Sequence, residues 1–214
     1  NKAKWSGTLV MIGQPAEEIN LGALEMLKDG LLTRFPKPDY TLAFHDSAEL
    51  ASGVVGVKAG FALANADSVD ITVKGLGGHG AYPQDTKDPI VIGARIVSTL
   101  QTLVSREIPS GEPAVVTVGA FNGGFKHNII PDDVEMQLTV RSFADATRNK
   151  LLKAIERIAR GEAVTAGLDP EKSVWLRVKD DYTPSLYNDP KLAERLSTVW
   201  EKIFPHTSLH TATP

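Results

Sequence analysis

The chain contains no cysteine, so disulfides, thiolate metal sites and cysteine nucleophiles are all excluded, while the compartment stays open. A basic block is missing too. With 23 Lys and Arg against 26 Asp and Glu the net charge is −3, and the electrostatic footprint of a nucleic-acid binder is lacking. No run approaches the roughly 18 consecutive apolar residues that a membrane-spanning helix needs, and Asn1 to Trp5 carries no apolar segment of the signal-peptide kind. Internal repeats and low-complexity tracts are absent, and neither GxSxG nor HExxH occurs. What remains is an ordinary globular composition, 42% hydrophobic and 23% charged over 214 residues. At about 150 residues per domain that is one domain and part of a second. The expectation is a soluble protein, cytoplasmic rather than exported, with no nucleic-acid or membrane partner.

The clearest periodicity lies in the middle. Val69, Ile71 and Val73 alternate with Asp70, Thr72 and Lys74, as a half-buried strand does. Asp88-Pro89, an acidic cap followed by proline, opens a helix with Ile90, Ala94, Val97, Leu100 and Val104 at helical spacing. Ile92, Ile96 and Leu103 form a second apolar stripe on that helix, which a helix lying on one sheet should not need, so a partner surface is expected there. A strand from Ala114 to Phe121, an alternating strand through Val134, Met136, Leu138 and Val140, a helix from Thr147 to Ala166 with one apolar face, and a strand from Val174 to Val178 complete the order. Strand, helix, strand, strand, helix, strand is the split βαβ of ferredoxin-like domains. Around it, Thr8 to Ile12, Thr41 to Phe44 and Val54 to Val57 read as short strands, and Leu21 to Lys28 and Asp189 to Phe204 as helices. The fold expected is α/β, with a ferredoxin-like lid (66–180) inserted in an incomplete catalytic domain (1–65 and 181–214). Because a strand-like run begins almost at once, the chain is expected to be a fragment.

Gly75-Leu76-Gly77-Gly78-His79-Gly80 satisfies GxGxxG after a strand, but Ala81-Tyr82-Pro83 follows where the fingerprint needs a helix N-terminus for a pyrophosphate, so a dinucleotide site is rejected. Glu17-Glu18 follows a predicted strand on a loop of the kind where α/β sites gather. Either one carboxylate binds metal while the other faces the reacting water, or both are the solvated acidic start of a helix. His45, after another short strand, is a suitable companion for a carboxylate at a zinc site, or a structural histidine paired with Asp46. His79 lies among glycines that leave its ring accessible. Asn128 reads as a turn residue before Ile129-Ile130-Pro131-Asp132, and Arg141, on the polar face of its strand, is either solvated, paired with a residue such as Glu135, or a clamp for a substrate carboxylate.

Taken in order, Gly7-Thr8, Gln14-Pro15-Ala16-Glu17-Glu18, His45, Gly77-Gly78-His79-Gly80-Ala81-Tyr82-Pro83 with Thr86, Asp88 and Pro89, Asn128-Ile129-Ile130-Pro131-Asp132 and Arg141-Ser142 resemble the metal-dependent aminoacylase and carboxypeptidase amidohydrolases. The branch most similar holds hippurate hydrolases and indoleacetyl-amino-acid hydrolases. The resemblance implies an N-acyl or N-aroyl amino acid as substrate, hydrolysed by a water activated between two divalent metals, zinc first, with manganese, cobalt or nickel as alternatives. It also implies a homodimer formed through the lid. By the same resemblance Glu17 matches the general base, Glu18 and His45 metal ligands, His79 a lid histidine that reaches a neighbouring subunit's oxyanion, Asn128 a lid residue touching substrate, and Arg141 an arginine for the substrate carboxylate. The family's first and last metal ligands have no counterpart, and His206 and His210 fall outside its motifs. The competing expectation is a non-catalytic fragment or a dimerising binding module.

Overall fold

The computed structural model describes residues 4–19, 21–180, 182–203 and 208–211, the last four by backbone alone. After a short turn at Glu17–Ile19 come α1 (Gly22–Lys28), α2 (Leu31–Arg34), β1 (Val54–Val57), β2 (Gly60–Leu63), β3 (Asp67–Lys74), β4 (Gly78–His79) and α3 (Pro89–Thr102). Then follow β5 (Ala114–Asn122), β6 (Ile129–Ile130), β7 (Asp133–Ser142), α4 (Asp145–Thr165), α5 (Pro170–Ser173), β8 (Val174–Val178), β9 (Leu186–Asn188), α6 (Pro190–Ile203) and β10 (Ser208–Thr211). The chain divides into two compact units, Asn1–Val55 and Gly56–Pro214.

In the second unit four antiparallel strands pair in the order β5-β7-β3-β8. With α3 between β3 and β5 and α4 between β7 and β8, this is the ferredoxin-like arrangement read from the sequence. The alternation dictates which face is covered. Val69, Ile71 and Val73 of β3 and Val134, Met136, Leu138 and Val140 of β7 are buried under α3 and α4, while Asp70, Thr72 and Lys74 of β3 and Glu135, Gln137 and Arg141 of β7 face the other way. Asp88 caps α3, its carboxylate accepting from the N–H groups of Ile90 and Val91. At its other end the helix widens into a π-turn, Leu103–Glu107, whose last bond runs from Ile108 N–H to the Leu103 carbonyl.

Two expectations are corrected. On α3 and the π-turn that continues it, the stripe Ile92, Ile96 and Leu103, expected on a partner surface, is the buried one, together with Leu100, whereas Ile90, Ala94 and Val104 are exposed. Both stripes are apolar, so hydrophobicity alone did not decide between them; the rotation that lets Gly93 meet Phe121 and Val134 closely does. The runs Thr8 to Ile12 and Thr41 to Phe44 form no strand. No neighbouring strand takes up their backbone groups among the described residues, and an extended run without a ladder is not a sheet. Their apolar side chains lie open, Leu9 at 71%, Met11 at 88% and Phe44 at 85%. Val54 to Val57 and the helix at Leu21 to Lys28 form as expected, the latter from Gly22; of the helix at Asp189 to Phe204, Phe204 lies outside the described residues.

Candidate active site

The first unit places Glu17 and Glu18 in one turn. Ala16 enters it at φ 52°, the left-handed region that a side chain disfavours, so this turn holds about 1 kcal/mol or more of backbone strain where the two carboxylates are delivered. His45 lies close enough to both for each to raise its pKa. The larger causes are local: Nδ1 bonds the Asp46 carbonyl, and the Asp46 carboxylate is 3.5 Å away. With Nδ1 donating to a carbonyl, the neutral ring keeps its lone pair on Nε2, which is how a metal-ligating histidine is usually set. Among the described residues no three His, Asp or Glu side chains gather as a metal site. Glu18 and His45 therefore fit a divalent metal in kind, a hard oxygen and an imidazole nitrogen, and supply part of the four or more donors it takes.

His79 and Asn128 are brought together by a small ladder in the second unit. His79 of β4 faces Ile129 of β6, and Gly80 N–H donates to the Asn128 carbonyl at 2.9 Å. The glycines serve this close approach rather than a phosphate. A Cβ on Gly75 would lie 2.1 Å from the Lys87 carbonyl, and one on Gly80 about 3.1 Å from the Asn128 backbone. No helix opens at Gly80, where a dinucleotide fingerprint would need one. Sequence reasoning gave Asp132 no role, yet its carboxylate accepts from Gly77 N–H at 3.0 Å and fixes the loop that carries His79.

The His79 ring is exposed and tilted against Tyr82, 5.6 Å between centroids. Its Nδ1 accepts from Ala81 N–H at 3.1 Å, so the proton of the neutral ring sits on Nε2, the reverse of His45. A groove beside it is lined by Gly77, Phe125, Ile129, Pro131 and Asp132, with Phe125 82% exposed at its edge.

Arg141 is elsewhere. It lies near the end of β7, opposite Val115 of β5, whereas the Asn128 loop enters β7 at Asp133. Eight residues at about 3.3 Å each separate the two ends by roughly 26 Å. Among the described residues no side-chain partner engages the Arg141 guanidinium, neither Glu135 nor another carboxylate, and it is exposed.

Residues 61–166 match the family described as the peptidase dimerisation domain, M20 type. The chain is 37% identical to N-acetylcysteine deacetylase of Bacillus subtilis over 88% of its own length and 47% of that protein. It is 33% identical to hippurate hydrolase of Campylobacter jejuni, over 94% of this chain and 51% of the relative. A crystal structure of a dinuclear metal-binding M20 peptidase from Bacillus subtilis superposes with a TM-score of 0.70 at 28% identity, covering 93% of this chain and 47% of that one. The chain thus spans about half the length of the curated relatives it matches. Helix spacing, sheet order and these likenesses agree that the chain belongs to the M20 peptidase family and carries, in residues 61–166, that family's dimerisation domain.

Proposed function

We propose that the full-length protein is a metal-dependent amidohydrolase that cleaves the amide bond of N-acyl or N-aroyl amino acids. The division expected from the sequence serves this reading: 66–180 as lid, 1–65 and 181–214 as parts of the catalytic domain. The observation that supports it best is the opposite setting of the two histidines. His45 offers a lone pair at Nε2, as a ligand must, and His79 offers an N–H there, as an oxyanion donor must.

Glu18 and His45 would hold metal, two ions per complete site and zinc first among the candidates. When bound, the metal supplies the positive charge that lets a water lose its proton near neutral pH. Glu17 takes that proton and hands it to the leaving amine. His79 Nε2–H donates to the acyl oxygen as it gains charge, with Asn128 beside it, and Arg141 pairs with the carboxylate of the amino acid.

One small substrate cannot touch both His79 and Arg141 of the same copy, since they stand at opposite ends of the lid sheet. A homodimer resolves this, one copy lending His79 and Asn128 while the other holds the carboxylate. β5 is an edge strand, and the exposed Ile90 and Val91 of α3 with Val104 of the π-turn after it suit an interface between two lids. No helix among the described residues is long and apolar enough to cross a membrane. The test is hydrolysis of N-acetyl and N-benzoyl amino acids by the full-length protein before and after chelation. Activity lost with the metal and regained with zinc, manganese, cobalt or nickel supports the reading. No hydrolysis of either class in any metal-loaded form overturns it and favours a binding module.

A further inference from the structure

Among the described residues the Arg141 guanidinium has no side-chain partner, while the backbone beside it is held firmly. Asn65, wholly buried just before β3, makes four hydrogen bonds to the single residue Ser142. Its N–H donates to the Ser142 carbonyl at 2.7 Å, its Oδ1 accepts from Ser142 N–H at 2.8 Å and from the hydroxyl at 3.2 Å, and its Nδ2 donates to that hydroxyl at 2.9 Å. The β3–β7 ladder ends at Asp67 opposite Val140, so beyond it Asn65 takes over as a side-chain rung. Two residues along, Asp67 receives a fork from Arg148 at 2.8 and 2.6 Å, and the Arg148 guanidinium lies 3.9 Å over the Tyr182 ring. The segment from Ser142 to Arg148 is thereby stapled at one end to Asn65, just before β3, and at the other to Asp67, its first residue.

A simple turn from strand to helix does not need a buried amide whose oxygen and nitrogen both bond one residue. Leaving one of these groups unpaired in the interior costs more than the bond gains, so this lock is stringent about position. Arg141 is the residue immediately before the lock and on its other side faces only the edge strand β5.

We propose that Asn65 is a positioning residue for Arg141, fixing the height and direction of its guanidinium so that it meets the substrate carboxylate as a fork. The inference rests on the carboxylate role given to Arg141 above. A loosened strand end would leave the cation present but misaimed, and a fork loses much of its advantage once its two bonds are no longer parallel.

The experiment compares KM and kcat of the full-length protein for an N-acetyl amino acid and for its carboxamide, which lacks the carboxylate. Asn65→Ala raises KM for the acid about tenfold, the loss of one charge-assisted bond, and leaves the amide and kcat unchanged. Asn65→Asp keeps acceptors for both Ser142 donors and restores the acid KM to within about twofold. Adding Asn65→Ala to Arg141→Ala changes nothing further, because the group being positioned is gone. If Asn65→Ala does not fold, Ser142→Ala removes only the hydroxyl pair and raises the acid KM about threefold, again sparing the amide. The proposal is overturned if Arg141→Ala is selective for the acid while Asn65→Ala, or Ser142→Ala in its place, affects acid and amide alike or neither. If Arg141→Ala itself shows no preference, the carboxylate role fails and takes this inference with it.

Discussion

At single residues, the proposed chemistry turns on protons that each side chain holds or yields. Glu17→Gln keeps the shape of the carboxylate and removes its basicity; kcat is expected to fall by about a hundredfold or more with KM little changed, as general-base loss requires. Steady-state kinetics at saturating substrate checks this, and equal turnover contradicts it. Tyr182 titrates above its ordinary value of 10, because burial disfavours the phenolate and Asp145 repels it, while Arg148 opposes both. The folded state therefore holds that proton more tightly than the unfolded one. Its contribution to stability is complete below pH 10 and is lost as pH rises from 10 through the raised value. Denaturant unfolding between pH 9 and 11 should show a shallower loss in Tyr182→Phe than in the parent, and identical slopes would contradict the assignment. Arg148→Met strands the Asp67 carboxylate, whose side chain is fully buried, and should destabilise by about 3 kcal/mol. Restoration by Asp67→Asn in the same chain would show that the stranded charge is the cause. The tight loop that carries His79 was legible from its glycines. The Asn65–Ser142 and Asp67–Arg148 pairs were not, since they join positions 77 and 81 residues apart and nothing in local periodicity couples them.

Among the elements, the ferredoxin-like dimerisation domain was readable because its strands obey a period of two and its first helix carries an acidic cap before proline. The same reading misjudged which side of α3 faces the sheet, since both sides are apolar, and the distinction has measurable consequences. Ile96→Ala opens a void in a fully buried position and should cost about 3 kcal/mol. Val91→Ala, 55% exposed, should cost under about 0.5 kcal/mol. Val91→Arg leaves the fold intact and is expected to turn a dimer into a monomer on gel filtration; a dimer of unchanged stability would remove α3 from the interface. The runs at 8–12 and 41–44 were read as strands from their apolar residues, and those residues do look like sheet core. A strand, however, is defined by its neighbours' hydrogen bonds, and no alternation of residues in one segment supplies the neighbour.

In the whole molecule, one reaction centre is proposed to draw on two copies of the chain. Glu17, Glu18 and His45 lie in one compact unit, and His79 and Asn128 in another with Arg141 at its far end. The direct measurement is complementation between two inactive full-length variants, Glu17→Gln and His79→Ala, produced separately and then coexpressed. If His79 serves the neighbouring copy, a mixed dimer contains one site with both residues intact, and random pairing should restore about a quarter of the parent's activity on an N-acetyl amino acid. A coexpressed pair as inactive as either variant alone would contradict the claim and return His79 to its own subunit, or out of the reaction altogether.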